Sequence, residues 1–330
     1  MTLFSRIRER RRPERPAPED GHATAVLVQE VRRLELRARR LVDSHALGPY
    51  KSVFRGHGIE FSEVRAYEPG DPFQSIDWKV TARMRKPFVK RFVEERELSV
   101  LVVVDISAST GFGTRGMEKR RLATEVAGVL ILAAMRAQDR VGLLLFTDRC
   151  EKIVRPLRGR NRTLRLLYDL LAFEPEGRGT DLEGAILAAD RVLSTRSIVI
   201  VLSDFALPEA AAEEGEVDGP RAAFLRALTG LSHRHDVVTI GVRDPAEASL
   251  PDAGFLDVED PETGRRATLD LQDASVREHL ERQAADEEEQ MIRELLGTGA
   301  DWLGLRTDRP YPVELHAFFA ARERRGEKRR

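Results

Sequence analysis

The chain has 330 residues, 42% of them hydrophobic and 33% charged, with 54 Lys and Arg against 55 Asp and Glu and a formal net charge of −1. Such a composition excludes disorder throughout, and it removes bulk positive charge as a basis for nucleic-acid binding. The single cysteine, Cys150, can form neither an internal disulfide nor a cysteine-based zinc cage, which points to a reducing compartment and a cytoplasmic location.

No stretch approaches the roughly 18 consecutive apolar residues of a membrane helix, so no membrane span is expected. The first 40 residues carry 11 basic and 6 acidic side chains, and Arg6 to Pro13 lacks the apolar core of a secretory signal. Residues 1–21 therefore read as a solvated basic tail. From residue 22 to 47 the spacing of Val28, Val31, Leu34, Ala38 and Leu41 predicts an amphipathic docking helix. Residues 48–98 are rich in Gly, Pro and aromatics, with strand-like pieces at Ile59–Tyr67 and Pro87–Val93 and no helical period, and read as a β-rich segment.

At Ser99 the pattern changes. Val100-Leu101-Val102-Val103-Val104 is the continuous β-branched run of a strand buried on both faces, and it ends in Asp105. Arg140–Phe146, Ser197–Ser203 and Asp236–Val242 repeat the pattern. Between them lie helical stretches at Met117–Gln138, Thr163–Phe173, Leu182–Leu193 and Arg221–Arg234. A hairpin is expected over Phe255–Leu269, then a long charged helix capped by Ser275 and stopped by Gly297, a last strand at Asp301–Arg306 and a closing helix at Tyr311–Arg324. Strands alternating with helices predict an α/β fold, a doubly wound, mainly parallel sheet of five or six strands flanked by helices, over residues 99–324. Residues 325–330 are a charged tail.

The functional signal sits at the strand ends. Asp105-Ile106-Ser107-Ala108-Ser109 delivers a carboxylate and two hydroxyls at alternate positions, which project to one side of an extended turn beyond the carboxyl end of a strand. Gly177-Arg178-Gly179-Thr180-Asp181-Leu182 sets a threonine on a Gly-flanked loop before a helix, and the strand ending at Ser203 is followed by Asp204. Alone, the Asp105–Ser109 string reads more readily as an aspartate capping the next helix with serines in its turn.

Together they resemble the metal-ion-dependent adhesion site of von Willebrand factor type A domains. That resemblance implies that Ser107, Ser109 and Thr180 supply hydroxyl oxygens, and that Asp105 and Asp204 bind directly or through water. The implied ion is Mg²⁺, with Mn²⁺ or Ca²⁺ as substitutes, since an all-oxygen set suits a small hard cation. Neutral hydroxyls leave such an ion undercompensated, so its open position favours a Glu or Asp from a protein partner.

Upstream, Gly56-His57-Gly58-Ile59-Glu60-Phe61-Ser62-Glu63-Val64-Arg65-Ala66-Tyr67, Gly70-Asp71 and Ile76-Asp77-Trp78 resemble the bacterial domain-of-unknown-function family fifty-eight (DUF58), whose signature leads into a type A-like domain. Pro72 and Gln74 replace an Asp and an Arg usual in that family. Glu60, Glu63, Arg65, Asp71, Asp77 and Arg83 read as an ion-pair network, with Tyr67 and Trp78 as apolar anchors. Members of the family are typically encoded beside MoxR-type AAA+ ATPases. The resemblance thus implies a non-enzymatic adaptor or co-chaperone that works with such an ATPase in assembly or cofactor loading of a client.

The alternatives are a hydrolase using the same metal with Glu60 or Glu63 as base, and a scaffold with no metal. No G-x-S-x-G elbow, H-E-x-x-H pair or Walker loop occurs to support catalysis. The basic run Lys79 to Arg96, interleaved with Trp78, Phe88 and Phe92, is diluted by Glu94, Glu95 and Glu97 and reads as a solvated strand face rather than a nucleic-acid surface. His233 and His235 read as helix-end packing.

Overall fold

A computed structural model describes residues 29–34, 36, 60–71, 73–93, 98–114, 116–207, 219–250, 252, 254–260 and 264–328. The expected basic tail, most of the expected docking helix, the first part of the DUF58-like signature and the hairpin turn at Glu262-Thr263 lie outside the described residues, as do the side chains of Glu60, Glu63 and Phe92.

The centre is a six-stranded sheet built from β3 (Ser99–Asp105), β4 (Arg140–Phe146), β5 (Cys150–Leu157), β6 (Ile198–Ser203), β7 (Asp236–Arg243) and β10 (Asp301–Arg306), in the order β10-β7-β6-β3-β4-β5. All neighbours are parallel except β4 and β5, which form an antiparallel hairpin at one edge. β5 was not foreseen. Its residues alternate between partly buried and exposed, and it carries Glu151, Lys152, Arg155 and Pro156, which suits an edge strand and hides it from a search for apolar runs. The doubly wound, mainly parallel α/β architecture is as expected.

Alternation along β3 divides the core. Val100, Val102 and Val104 pack on one face with α2 (Lys119–Arg136), α3 (Arg160–Ala172) and the closing helix α8 (Tyr311–Lys328). Leu101 and Val103 pack on the other with α4 (Leu182–Val192), α5 (Pro220–Arg234) and the long helix α7 (Ala274–Gly297). Every one of these β3 side chains is fully buried, each burial stabilising by about 1.5–3 kcal/mol. Of the expected N-terminal helix, residues 29–34 are helical, and Leu34 is buried in the first core against Gly128 of α2.

The chain order around β3 positions the site. From β3 the chain moves through α2 to β4 and β5 on one side, then returns to β6 on the other side of β3 and continues away through α5 to β7 and β10. The connections leaving β3 and β6 diverge, which opens a crevice at the carboxyl ends of these two neighbours. Asp105 and Asp204 stand at that switch point.

Three local expectations are corrected, and one helix is new. α7 is capped by Asp273, whose carboxylate accepts from Ser275 N at 2.8 Å, rather than by Ser275. Gly297 is the last helical residue and Thr298 the C-cap. α8 continues past Arg324 to Lys328, into the stretch read as a tail. The short helix α6 (Pro245–Ala248) was not expected; it carries a complete capping box of Asp244 and Glu247. The expected hairpin forms as β8 (Phe255–Glu259) and β9 (Arg266–Asp270), a separate two-stranded sheet.

In the signature segment β1 (Glu60–Ala66) pairs antiparallel with β2 (Phe88–Val93), and between them lies a helix the sequence did not announce, α1 (Trp78–Met84), capped by Asp77. Within the expected ion-pair network, Arg65 and Asp71 form a bidentate pair, at 2.9 and 2.6 Å. Trp78 is not an anchor: it is 59% exposed and meets Phe73 edge to face at 5.5 Å. Lys79 and Arg83 lie on the exposed surface of α1 rather than on a strand. No helix of the described residues is long and apolar enough to cross a membrane.

Candidate metal centre

Asp105 closes β3 and has no exposed surface. Its Oδ1 accepts from the Ser107 backbone N–H at 2.9 Å, and its Oδ2 accepts from the Ser203 hydroxyl at 2.5 Å. The first bond turns the chain immediately after the strand, as short carboxylate side chains do. It brings the Ser107 and Ser109 hydroxyls within 3.1 Å of one another, both residues buried. Thr110 Oγ1 donates to Ser107 O at 2.7 Å and pins the single 3-10 turn of residues 108–111.

Thr180 approaches through its loop. Ala108 N donates to Arg178 O at 3.0 Å, and Asp181 N donates to Thr147 O at 2.8 Å, so the loop is stitched to the Ser107–Ser109 turn on one side and to the β4–β5 turn on the other. Glu151 reinforces it by accepting from Gly177 N at 2.7 Å. Gly177 is required by this closeness: a Cβ there would run into the Asp148 carboxylate and the Thr147 hydroxyl. Thr180 itself is half-buried. Asp181 caps α4 by accepting from Gly184 N at 2.8 Å.

Asp204 follows β6 and is 1% exposed. Its nearest charge is a cation that sequence reasoning missed. Lys119, the first residue of α2, is itself buried, and its Nζ lies 2.8 Å from Asp204 Oδ2 and 2.6 Å from Glu247 Oε1. The other Asp204 oxygen accepts from Ala206 N at 3.2 Å. Glu247 in turn accepts from Asp244 N at 2.9 Å, and the Asp244 carboxylate takes bonds from Thr114, Ala246 and Thr307. Lys119 was hidden because it sits in a Lys-Arg-Arg run whose members look alike in sequence. The D-P-A-E capping pattern at Asp244 was the one legible hint of this network.

The electrostatics follow from burial. Loss of water, and next the negative charge of Asp204, push the Asp105 carboxyl up from its ordinary 3.8 to about 7. Burial acts on Asp204 in the same direction, but the Lys119 ammonium outweighs it and holds that carboxyl below its ordinary value. Lys119 is held charged because Asp204 and Glu247 outweigh its own burial.

The structure thus brings Asp105, Ser107 and Ser109 into one buried cluster, sets Asp204 close enough to act on Asp105 but engaged with Lys119, and docks the Thr180 loop against the same turn. The donors are all oxygen, hydroxyl and carboxylate, and the buried Asp105 carboxyl lies close enough to the Asp204 carboxylate to feel its charge. That is the donor chemistry a small hard cation accepts. Among the described residues no group of three or more His, Cys, Asp or Glu is arranged to hold a metal, so hydroxyls would have to complete any such site. A cavity of about 300 Å³ adjoins it, lined by Asp204 and Lys119 together with Phe205, Arg243, Met291 and Arg306, but not by Asp105 or the serines. His235 is buried and its Nδ1 accepts from Ser197 N at 3.2 Å, a packing role as expected.

Residues 63–290 match the family described as "Protein of unknown function DUF58". An uncharacterised protein of Mycobacterium tuberculosis strain H37Rv, Rv1480, is 32% identical over 300 residues, which cover 90% of this chain and 90% of its own; Mb1516 of Mycobacterium bovis matches to the same extent. Among solved structures, BatB from Bacteroides thetaiotaomicron superposes with a TM-score of 0.46 at 18% identity, covering 70% of this chain and 98% of that one. The von Willebrand factor domain of the type V pili tip protein Mfa5 from Porphyromonas gingivalis gives 0.40 at 13% identity, covering 70% and 95%.

Proposed function

The chain belongs to the DUF58 family, and we propose that its strand-end site is a Mg²⁺-dependent protein-binding site and that the protein is a non-enzymatic adaptor. The observation that supports this reading most is the convergence of Asp105, Ser107 and Ser109 in one buried oxygen cluster at the β3–β6 switch point, with Asp204 beside it. Asp105, Ser107, Ser109, Thr180 and Asp204 would hold the ion, with Mn²⁺ or Ca²⁺ as substitutes.

When bound, the ion supplies a Lewis-acidic position for an anionic oxygen. The chain's own part is to orient the donors. Asp105 is fixed through Ser107 N and Ser203, and the two hydroxyls are held by the turn that Thr110 pins. A Glu or Asp side chain of a protein partner is the ligand this arrangement favours. A MoxR-type AAA+ ATPase or its client is the partner class we propose, and cytoplasm the location.

Titration of the full chain with MgCl₂ by calorimetry, against Asp105→Ala, tests the site. Binding heat in the native protein and none in the variant is expected, and no heat in either removes the metal from the proposal. Capture of partners with and without chelator tests the function: an AAA+ ATPase retained only with metal supports the adaptor, whereas identical proteins under both conditions count against metal-bridged recognition. Hydrolase activity that depends on Glu60 or Glu63 would replace this reading with an enzyme.

A further inference from the structure

Lys119 is among the largest fully buried side chains of the protein, and burying an ammonium is costly unless carboxylates compensate it. It is compensated twice, from elements far apart in sequence: Asp204 after β6 at 2.8 Å and Glu247 of α6 at 2.6 Å. Asp204 has both oxygens engaged, one by Lys119 and one by Ala206 N. A direct bond from Asp204 to an ion at the Asp105–Ser107–Ser109 cluster would therefore have to share a carboxylate already neutralised by a buried ammonium, or displace that ammonium.

Resting on the metal-dependent reading above, we infer that Lys119 is an affinity-setting residue: an internal cation that competes with the divalent ion for Asp204 and weakens ion binding. The physics is that of one fixed positive charge opposing another across buried side chains, where interactions are stronger than in bulk water. With Lys119 in place the immediate donors are one carboxylate, Asp105, and neutral hydroxyls. The ion is thereby left short of negative charge, and a partner's carboxylate gains correspondingly by supplying it. Partner and ion would each strengthen the other's binding, as linkage requires. Weak retention of the ion by the chain alone is thus part of the design rather than a defect of the site.

The test is calorimetric titration of chelator-stripped full chain with MgCl₂ and with MnCl₂, comparing the native protein, Lys119→Met and Lys119→Arg. Lys119→Met removes the competing charge, and its binding should tighten by about tenfold or more, while Lys119→Arg keeps the charge and should stay within about threefold of native. Mg²⁺ should also raise the melting temperature of Lys119→Met more than that of the native chain, because the ion then compensates a carboxylate left unpaired. Should Lys119→Met fail to fold, Lys119→Met/Glu247→Gln removes one buried acid together with the cation and should show the same tightening.

Native protein that binds while the folded Met variant binds equally or more weakly would overturn the role of Lys119 and leave the metal site standing. Absence of binding in native and variant alike would overturn both. Binding seen only after Lys119 is replaced would support the competition directly.

Discussion

Asp105→Asn should stabilise the protein above neutral pH in the absence of divalent ions. The carboxyl is fully buried beside Asp204 and titrates near 7 in the folded chain, against 3.8 ordinarily. The folded state therefore holds a proton that the unfolded state releases. Stability from this group is greatest below about 3.8, falls as pH rises, and levels off above about 7. That interval, at about 1.4 kcal/mol per pH unit, makes the ionised Asp105 cost on the order of 4 kcal/mol at pH 8.5. The amide removes that cost and its oxygen can still accept from Ser107 N, but its nitrogen forces the Ser203 hydroxyl to turn, a loss of about 1 kcal/mol. A net gain of about 2–3 kcal/mol follows at pH 8.5 and none at pH 4. Urea unfolding in EDTA at the two pH values measures it. A variant no more stable than native at pH 8.5, or one whose difference from native is the same at both values, refutes the reasoning.

Leu34→Ala should destabilise the chain by about 2–4 kcal/mol in denaturant unfolding, because the side chain is buried against Gly128 and the first core; an unchanged midpoint would mean that residues 29–34 do not dock. Gly177→Ala should displace the Thr180 loop from the β4–β5 turn, lowering the melting temperature and weakening any Mg²⁺ heat together. Asp244→Ala removes the acceptor for Thr114, Ala246 and Thr307 and should cost about 3 kcal/mol, again read by urea unfolding. A loss below about 1 kcal/mol would show that water replaces those bonds.

The parallel strands were legible because a strand buried on both faces must be largely apolar: the β3 and β6 runs are apolar throughout, and the β7 run is interrupted only by Thr239, whose hydroxyl is satisfied by Asp301 O, and Gly241. The edge strand β5 was not, because one side of its backbone and much of its surface meet solvent, so Glu151, Lys152 and Arg155 are tolerated and no apolar run forms. α1 escaped notice because its seven residues, Trp78–Met84, bury no side chain and leave no period to read. The same exposure explains the error over Trp78: aromatic character signals burial only where a neighbouring element covers it.

At the site, Asp105, Ser107 and Ser109 could be found because their spacing is local and strand geometry projects them together. The convergence of Asp204 could be expected from its place after a buried strand. Lys119 could not. Its burial depends on carboxylates 85 and 128 residues away, and nothing within α2 distinguishes it from Arg120 and Arg121. A lysine in a basic run is solvated unless the fold brings acids to it.

Anomalous scattering from crystals soaked in MnCl₂ would test the proposed cation site most directly, since it locates the ion independently of any effect on folding. One strong peak is expected at the carboxyl ends of β3 and β6, in contact with Ser107, Ser109 and Asp105. Crystals that take up Mn²⁺ only elsewhere, or show the Ser107 and Ser109 hydroxyls bonded to each other with no density between them and Asp105, would contradict it.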